Sequence, residues 1–100
     1  MLPPDFRWRS VVSRPDQLPD VIYCGMTELL RILQRVDDHT WWVEVDRHLE
    51  NQHRARRKCT NYEPGVIMSE LCAVGGQQRL RLEIDQREVR RAAERKNRAW

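Results

Sequence analysis

The chain has 100 residues and a mass of 12.1 kDa, room for one small domain and not for a catalytic unit joined to a regulatory one. Hydrophobic residues are 40% and charged residues 33%, and four Trp, two Tyr and one Phe supply the bulky groups a core of this size needs. No apolar run approaches the roughly 20 residues that span a bilayer, and the Met1 end carries Asp5 among prolines where a leader would be basic and then apolar. Membrane, secreted and collagen-like classes are set aside, and a bacterial-type cytoplasmic protein is expected.

Leu2-Pro3-Pro4-Asp5 is an extended lead-in, because two prolines lock φ and remove donors. Phe6 to Val12 alternates, with Phe6, Trp8, Ser10 and Val12 on one side and Arg7, Arg9 and Val11 on the other, as a half-buried strand does. Prolines and aspartates make Ser13 to Asp20 a loop. Val21-Ile22-Tyr23-Cys24 is β-prone, and Gly25 ends or bulges it. Met26 to Val36 fits two periods. Met26, Leu29, Leu30, Leu33 and Val36 trace a helix face, yet the same stretch alternates as a strand. The sequel favours the strand: Asp37-Asp38-His39-Thr40 reads as a turn, and Trp41 to Asp46 alternates. Val36 and Trp41 then flank a hairpin turn.

His48 to Asn61 is polar, basic and without a period, so 48–62 reads as a basic loop or arm. Beyond it Pro64 suits a helix's first turn, and Ile67, Leu71, Val74, Leu82, Val89 and Ala93 mark a helical stripe over 63–96. Gly75-Gly76 interrupts that stripe, leaving one kinked helix or two in series. Arg79–Glu83, Glu83–Arg87, Arg90–Glu94 and Glu94–Arg98 are supporting i, i+4 pairs. The expectation is a single α+β domain, with an antiparallel sheet of three or four strands within 6–47 packed by one long or kinked C-terminal helix.

Eighteen Lys and Arg against fifteen Asp and Glu leave +3, and the excess is uneven. Arg54 to Lys58 holds four bases and no acid, and Arg79 to Arg98 holds eight bases against four acids. Sixteen of the eighteen bases are Arg, whose planar fork suits phosphate, carboxylate and aromatic faces. An acidic protein face or a nucleic acid is the natural partner of such a surface; a merely solvated exterior is the plain alternative. Arg7, Arg9, Arg54, Arg56, Arg57, Lys58 and Tyr62, extended by Arg87, Arg90 and Arg91, are the candidate binding residues. Trp42 joins them as the Trp of its pair that shares a strand face with Glu44 and Asp46.

Catalytic and metal patterns are thin. Ser10, Ser13 and Ser69 lie in no nucleophile elbow. Cys59, beside Arg57 and Lys58 and near His48 and His53 in sequence, has an electrostatically favoured thiolate but no evident orienting third group. His48, His53 and Cys59, with Cys24 or Cys72, lack the tight paired spacing of a zinc site. Three widely spaced cysteines are read as reduced and buried. Neither an enzyme nor a metal or other cofactor is expected.

Phe6-Arg-Trp-Arg, Tyr23-Cys-Gly, Trp41-Trp-Val-Glu-Val-Asp-Arg-His and Tyr62-Glu-Pro-Gly, leading into an Arg-rich helix, resemble small uncharacterised proteins of bacterial phages and prophages. The resemblance implies a setting: accessory proteins that bind a host complex, some as inhibitors of host defence in the manner of anti-CRISPR proteins. It carries over no functional residue. The expected function is therefore non-enzymatic binding to a host protein or nucleoprotein complex. The alternative is a weakly sequence-specific DNA- or RNA-binding protein using the arm and the C-terminal helix. A homodimer through an open sheet edge or that helix is compatible with the size of the chain.

Overall fold

The computed structural model describes residues 2–11, 18–49 and 54–98. Five strands, β1 (Phe6–Arg9), β2 (Val21–Cys24), β3 (Thr27–Gln34), β4 (Trp41–Val45) and β5 (Ala55–Cys59), form one antiparallel meander in the order β1-β2-β3-β4-β5. Two helices follow, α1 (Tyr62–Gly75) and α2 (Gln77–Arg98). The fold is α+β, with one strand more than the sequence suggested and two helices in series. Val12, the predicted end of the first strand, and His53 and Trp100 lie outside the described residues.

The segment with two competing periods is a strand, and a β-bulge explains the ambiguity. Ile22 pairs with Leu30 but Tyr23 pairs with Glu28, so Leu29 is an extra residue in β3. Leu29 and Leu30 are both buried, and Glu28 and Arg31, three apart, form an ion pair. That spacing imitates a helix. The β2–β3 turn places left-handed Gly25 (φ 59) first, as a primed two-residue hairpin turn allows. In the β3–β4 connection Gln34, not Val36, pairs with Trp41. Val36 is left in the turn at 91% exposure, because Asp37 and Asp38 tie the turn to Arg35 and Thr40 through their carboxylates.

The basic stretch expected to be a loop contains β5. Alternation is invisible in Ala-Arg-Arg-Lys-Cys, but β4 offers an open edge, and Cys59 and Ala55 fall opposite Trp41 and Val45. An edge strand dressed in Arg and Lys resists further pairing. Asn61 caps α1, its side chain accepting from the Tyr62 N–H.

The predicted helical stripe points the wrong way. Gly65, Ser69 and Ala73 are the buried residues of α1, and Ile67, Leu71, Leu82 and Val89 stand 58–71% exposed. The sheet explains this. Ile22, Leu30, Ile32 and Val43 already fill the space beneath, so the helix meets them with small residues. A Cβ on Gly65 would lie 3.2 Å from Ile32 Cγ2 and 3.3 Å from Cys59 Sγ, tighter than ordinary contact. Gly76 N–H donates to the Cys72 carbonyl, and Leu80 N–H to that of Gly76, so the chain passes directly into α2. Leu80 and Ile84 extend the core. Arg81 clamps the N-terminal lead-in: both its contacts to the Asp5 carboxylate are 2.7 Å, and its guanidinium lies 5.3 Å from the centre of the Phe6 ring.

Those hydrogen bonds from Arg81 hold the Asp5 carboxyl down to about 2. The stabilisation from the pair is complete above the ordinary carboxylate range and disappears as pH falls through about 2. In an Arg81→Met variant, NMR titration is expected to show Asp5 moving back towards that ordinary range. Ile32→Ala, at a fully buried position, is expected to cost about 2–5 kcal/mol in urea unfolding, whereas Val36→Ala stays within about 0.5 kcal/mol of the parent.

Candidate functional site

Residues opposite one another in an antiparallel ladder share a face, so the register sorts the sheet into two sides. Phe6, Trp8, Ile22, Leu30, Ile32, Trp41, Val43 and Cys59 belong to the side that α1 covers. Among the described residues no helix lies over the other side. Across its middle Arg9, Val21, Arg31, Glu44 and Arg56 form one row through all five strands. Leu33, Trp42 and Lys58 form a row to one side, and Arg7, Tyr23 and Glu28 a row to the other.

Glu44 organises this face. It is only 5% exposed, accepts from Arg56 at 2.8 Å, pairs with Arg47, and has Arg54 at 4.0 Å. Arg47 also pairs with Glu28, which holds Arg31 at 2.9 Å. Arg54 donates to the Leu49 and Arg47 carbonyls, so its guanidinium braces the loop after β4. Burial alone would push the Glu44 carboxyl up, but the surrounding arginines outweigh it and hold it below its ordinary value. Arg9 lies over the Tyr23 ring, 5.4 Å from its centre. The face thus collects Arg7, Arg9, Arg31, Arg47, Arg54, Arg56 and Lys58 against Glu28 and Glu44, an excess of five charges where the whole chain carries +3.

Of the residues singled out from the sequence, Arg7, Arg9, Trp42, Arg54, Arg56 and Lys58 come together here. Trp42 is half-buried, its indole N–H donating to Thr40 Oγ1 at 2.8 Å. Arg57 does not join them, because it faces the other side of the edge strand, opposite Val43. Tyr62 is a packing residue: its ring meets Trp41 edge-on at 6.2 Å, and its hydroxyl donates to the Pro19 carbonyl at 2.6 Å. Arg87, Arg90 and Arg91 sit on α2, apart from the sheet rows. Sequence reasoning missed Glu28, Arg31, Glu44 and Arg47. Arg31 between buried Leu30 and Ile32 was the available signal, once the segment is taken as a strand.

A second polar cluster lies where α2 passes the loop after β4. Ligand-type atoms of Asp46, His48 and Glu83 lie within 4.8 Å of one another. His48 is buried, with Nε2 at 2.9 Å from Glu83 Oε1. Arg79 places its own guanidinium between the acids, 2.7 Å from Glu83 and 3.2 Å from Asp46. The chain thereby supplies a cation to this cluster, and the cluster docks the helix on the loop. Asp46 adopts φ 58, a left-handed conformation that Asp tolerates.

The three cysteines are free, as expected, with Cys59 buried but Cys24 and Cys72 only half-buried, and the favoured Cys59 thiolate is not found. Burial pushes the Cys59 thiol up, because its side chain turns into the core under Gly65. The neighbouring cations in sequence do not reverse that. Cys24 is also raised, first by burial and then by Asp5, whose carboxylate lies 3.7 Å from its sulfur.

No protein-family model, curated protein or solved structure matches the chain. Among the described residues no helix is long and apolar enough to cross a membrane.

Glu44→Gln leaves Arg47 and Arg56 without their shared anion, and is expected to cost about 1–3 kcal/mol at neutral pH. Glu44 is held below its ordinary value, so its contribution is full above that value and is lost as acid protonates it. Urea unfolding is therefore expected to separate variant from parent at neutral pH and to bring them together in acid.

Proposed function

We propose that the protein is a non-enzymatic binding module that docks through its open sheet face onto an anionic surface of a larger protein or nucleoprotein assembly. The observation that carries this reading is the excess of five positive charges on one side of the sheet. Glu28 and Glu44 hold the arginines in place before a partner arrives, which lowers the ordering cost of binding. The phage-protein resemblance supports a host complex as the partner, with inhibition of a host defence system as the role. Tyr23 and Trp42 on the same face favour a second reading, direct binding of single-stranded DNA or RNA, because cations mixed with aromatic rings suit both backbone and bases.

Salt-titrated binding separates the two. Under the nucleic-acid reading, a labelled single strand binds, the affinity falls steeply with salt, and Trp42→Ala weakens it. Under the first reading neither single strand nor duplex binds tightly, and the chain captures a defined complex from a bacterial lysate. In either case the double variant Arg9→Glu with Lys58→Glu is expected to lower affinity by roughly tenfold or more, about 1.4 kcal/mol. The double variant Arg90→Glu with Arg91→Glu, on α2, changes it little. Equal effects from the two double variants would remove the sheet face from the proposal.

A further inference from the structure

The helical segment after Asn61 is apolar on two sides. At 3.6 residues per turn, positions two apart lie about 200° apart around a helix. Gly65, Ser69, Ala73 and Leu80 face the sheet, so Ile67, Leu71 and Leu82, each two positions on, face away from it. Val74 and Val89 continue this outer line, which recurs at every third or fourth position from 67 to 89 with Gln78 and Asp85 as polar interruptions. The line keeps its phase across the break because Gly76 is the one residue between α1 and α2. Ile67, Leu71 and Val89 are exposed by 62, 69 and 71%, more apolar surface in a single line than scattered surface residues provide.

The charges beside this line differ between its two ends. Glu63 and Glu70 are the only charged residues of α1. From Arg87 to Asn97, α2 carries five bases against two acids. A second copy laid antiparallel, with the two-fold axis beside Gln78, sets Ile67 against Val89, Val74 against Leu82 and Leu71 against Asp85 of the other copy. The same arrangement brings the acidic end of each helical segment to the basic end of the other, and Gln78 meets its own counterpart. A parallel arrangement would stack basic end on basic end. The edge strand β5, with Arg56, Arg57 and Lys58, offers a poor route to association by strand pairing.

We propose that the outer face of α1 and α2 is the docking surface for a second copy of this chain, paired antiparallel about Gln78. The pairing is isologous, so the interface closes on itself and leads to dimers only. Gln78 is a polar residue in an apolar seam, a device that fixes orientation and register. The open sheet faces lie on the far side of each subunit and stay free, so the pairing is independent of the function proposed above.

Sedimentation equilibrium of the whole chain under reducing conditions is the first test. It is expected to show a reversible shift to twice the 12.1 kDa chain mass with rising concentration. Leu71→Glu and Leu82→Glu change exposed positions, so each is expected to keep the circular dichroism of the parent while raising the dimer dissociation constant by roughly tenfold or more. Orientation is read by oxidative cross-linking in a Cys24→Ser, Cys72→Ser background. Gln78→Cys is expected to cross-link to itself, and Arg95→Cys is not, because antiparallel pairing separates two copies of position 95 by about 50 Å along the helix. A monomer at every concentration, a dimer untouched by both Glu variants, or efficient cross-linking through position 95 would each overturn the proposal.

Discussion

The rest of the structure depends on how closely α1 approaches the sheet. Gly65, Ser69 and Ala73 present almost no side chain to Ile32, Val43 and Cys59, so the bulk of the core comes from the strands. Tight packing of this kind is sensitive to a single added methyl group. It also decides what the helix shows to solvent. With small residues turned inward, Ile67 and Leu71 are left to face outward, while Val66 and Met68 pack at the flanks of the core. The apolar line on the helix and the well-filled core are two results of one placement.

The same placement makes the sheet one-sided. Because α1 covers one face, the other face is free to be polar, as antiparallel sheets allow. Its charges are still not loosely solvated. Glu44 is nearly buried and gathers Arg47 and Arg56, while Glu28 gathers Arg31 and Arg47. Isolated surface ion pairs contribute little to stability. A shared carboxylate among several arginines instead fixes where the positive charge sits. That order matters more for recognition than for holding the chain folded.

Legibility in the sequence followed local periodicity. β1 and β4 show plain alternation, of Phe6 with Trp8 and of Trp41 with Val43, β2 is β-prone by composition, and each is found where expected. β3 was ambiguous because the extra residue at Leu29 breaks the two-residue period. β5 was invisible because its order comes from pairing with β4, a long-range effect, and not from its own composition. The helical stripe points outward although large apolar residues ordinarily face a core, because the strands have already filled it, and nothing local says so. The candidate surface was half legible: runs of Arg identify themselves, but their grouping required the register. Glu44 stayed hidden because an acid within a strand looks like any solvated residue until three arginines are seen around it.

The last turns of α2 stand apart from all this support. Positions 88–97 are exposed throughout, and Leu80, Arg81 and Ile84 are the final strong anchors to the body of the protein. A free helical end of that length has little cooperative reserve, since short helices in water are marginal without tertiary packing. In the unpaired chain its amide protons will therefore exchange with solvent far sooner than those of β3 or α1. A ligand that grips the tip must first stop this fraying, so complex formation there would register as slowed hydrogen exchange over the final turns well before any change in the body of the molecule.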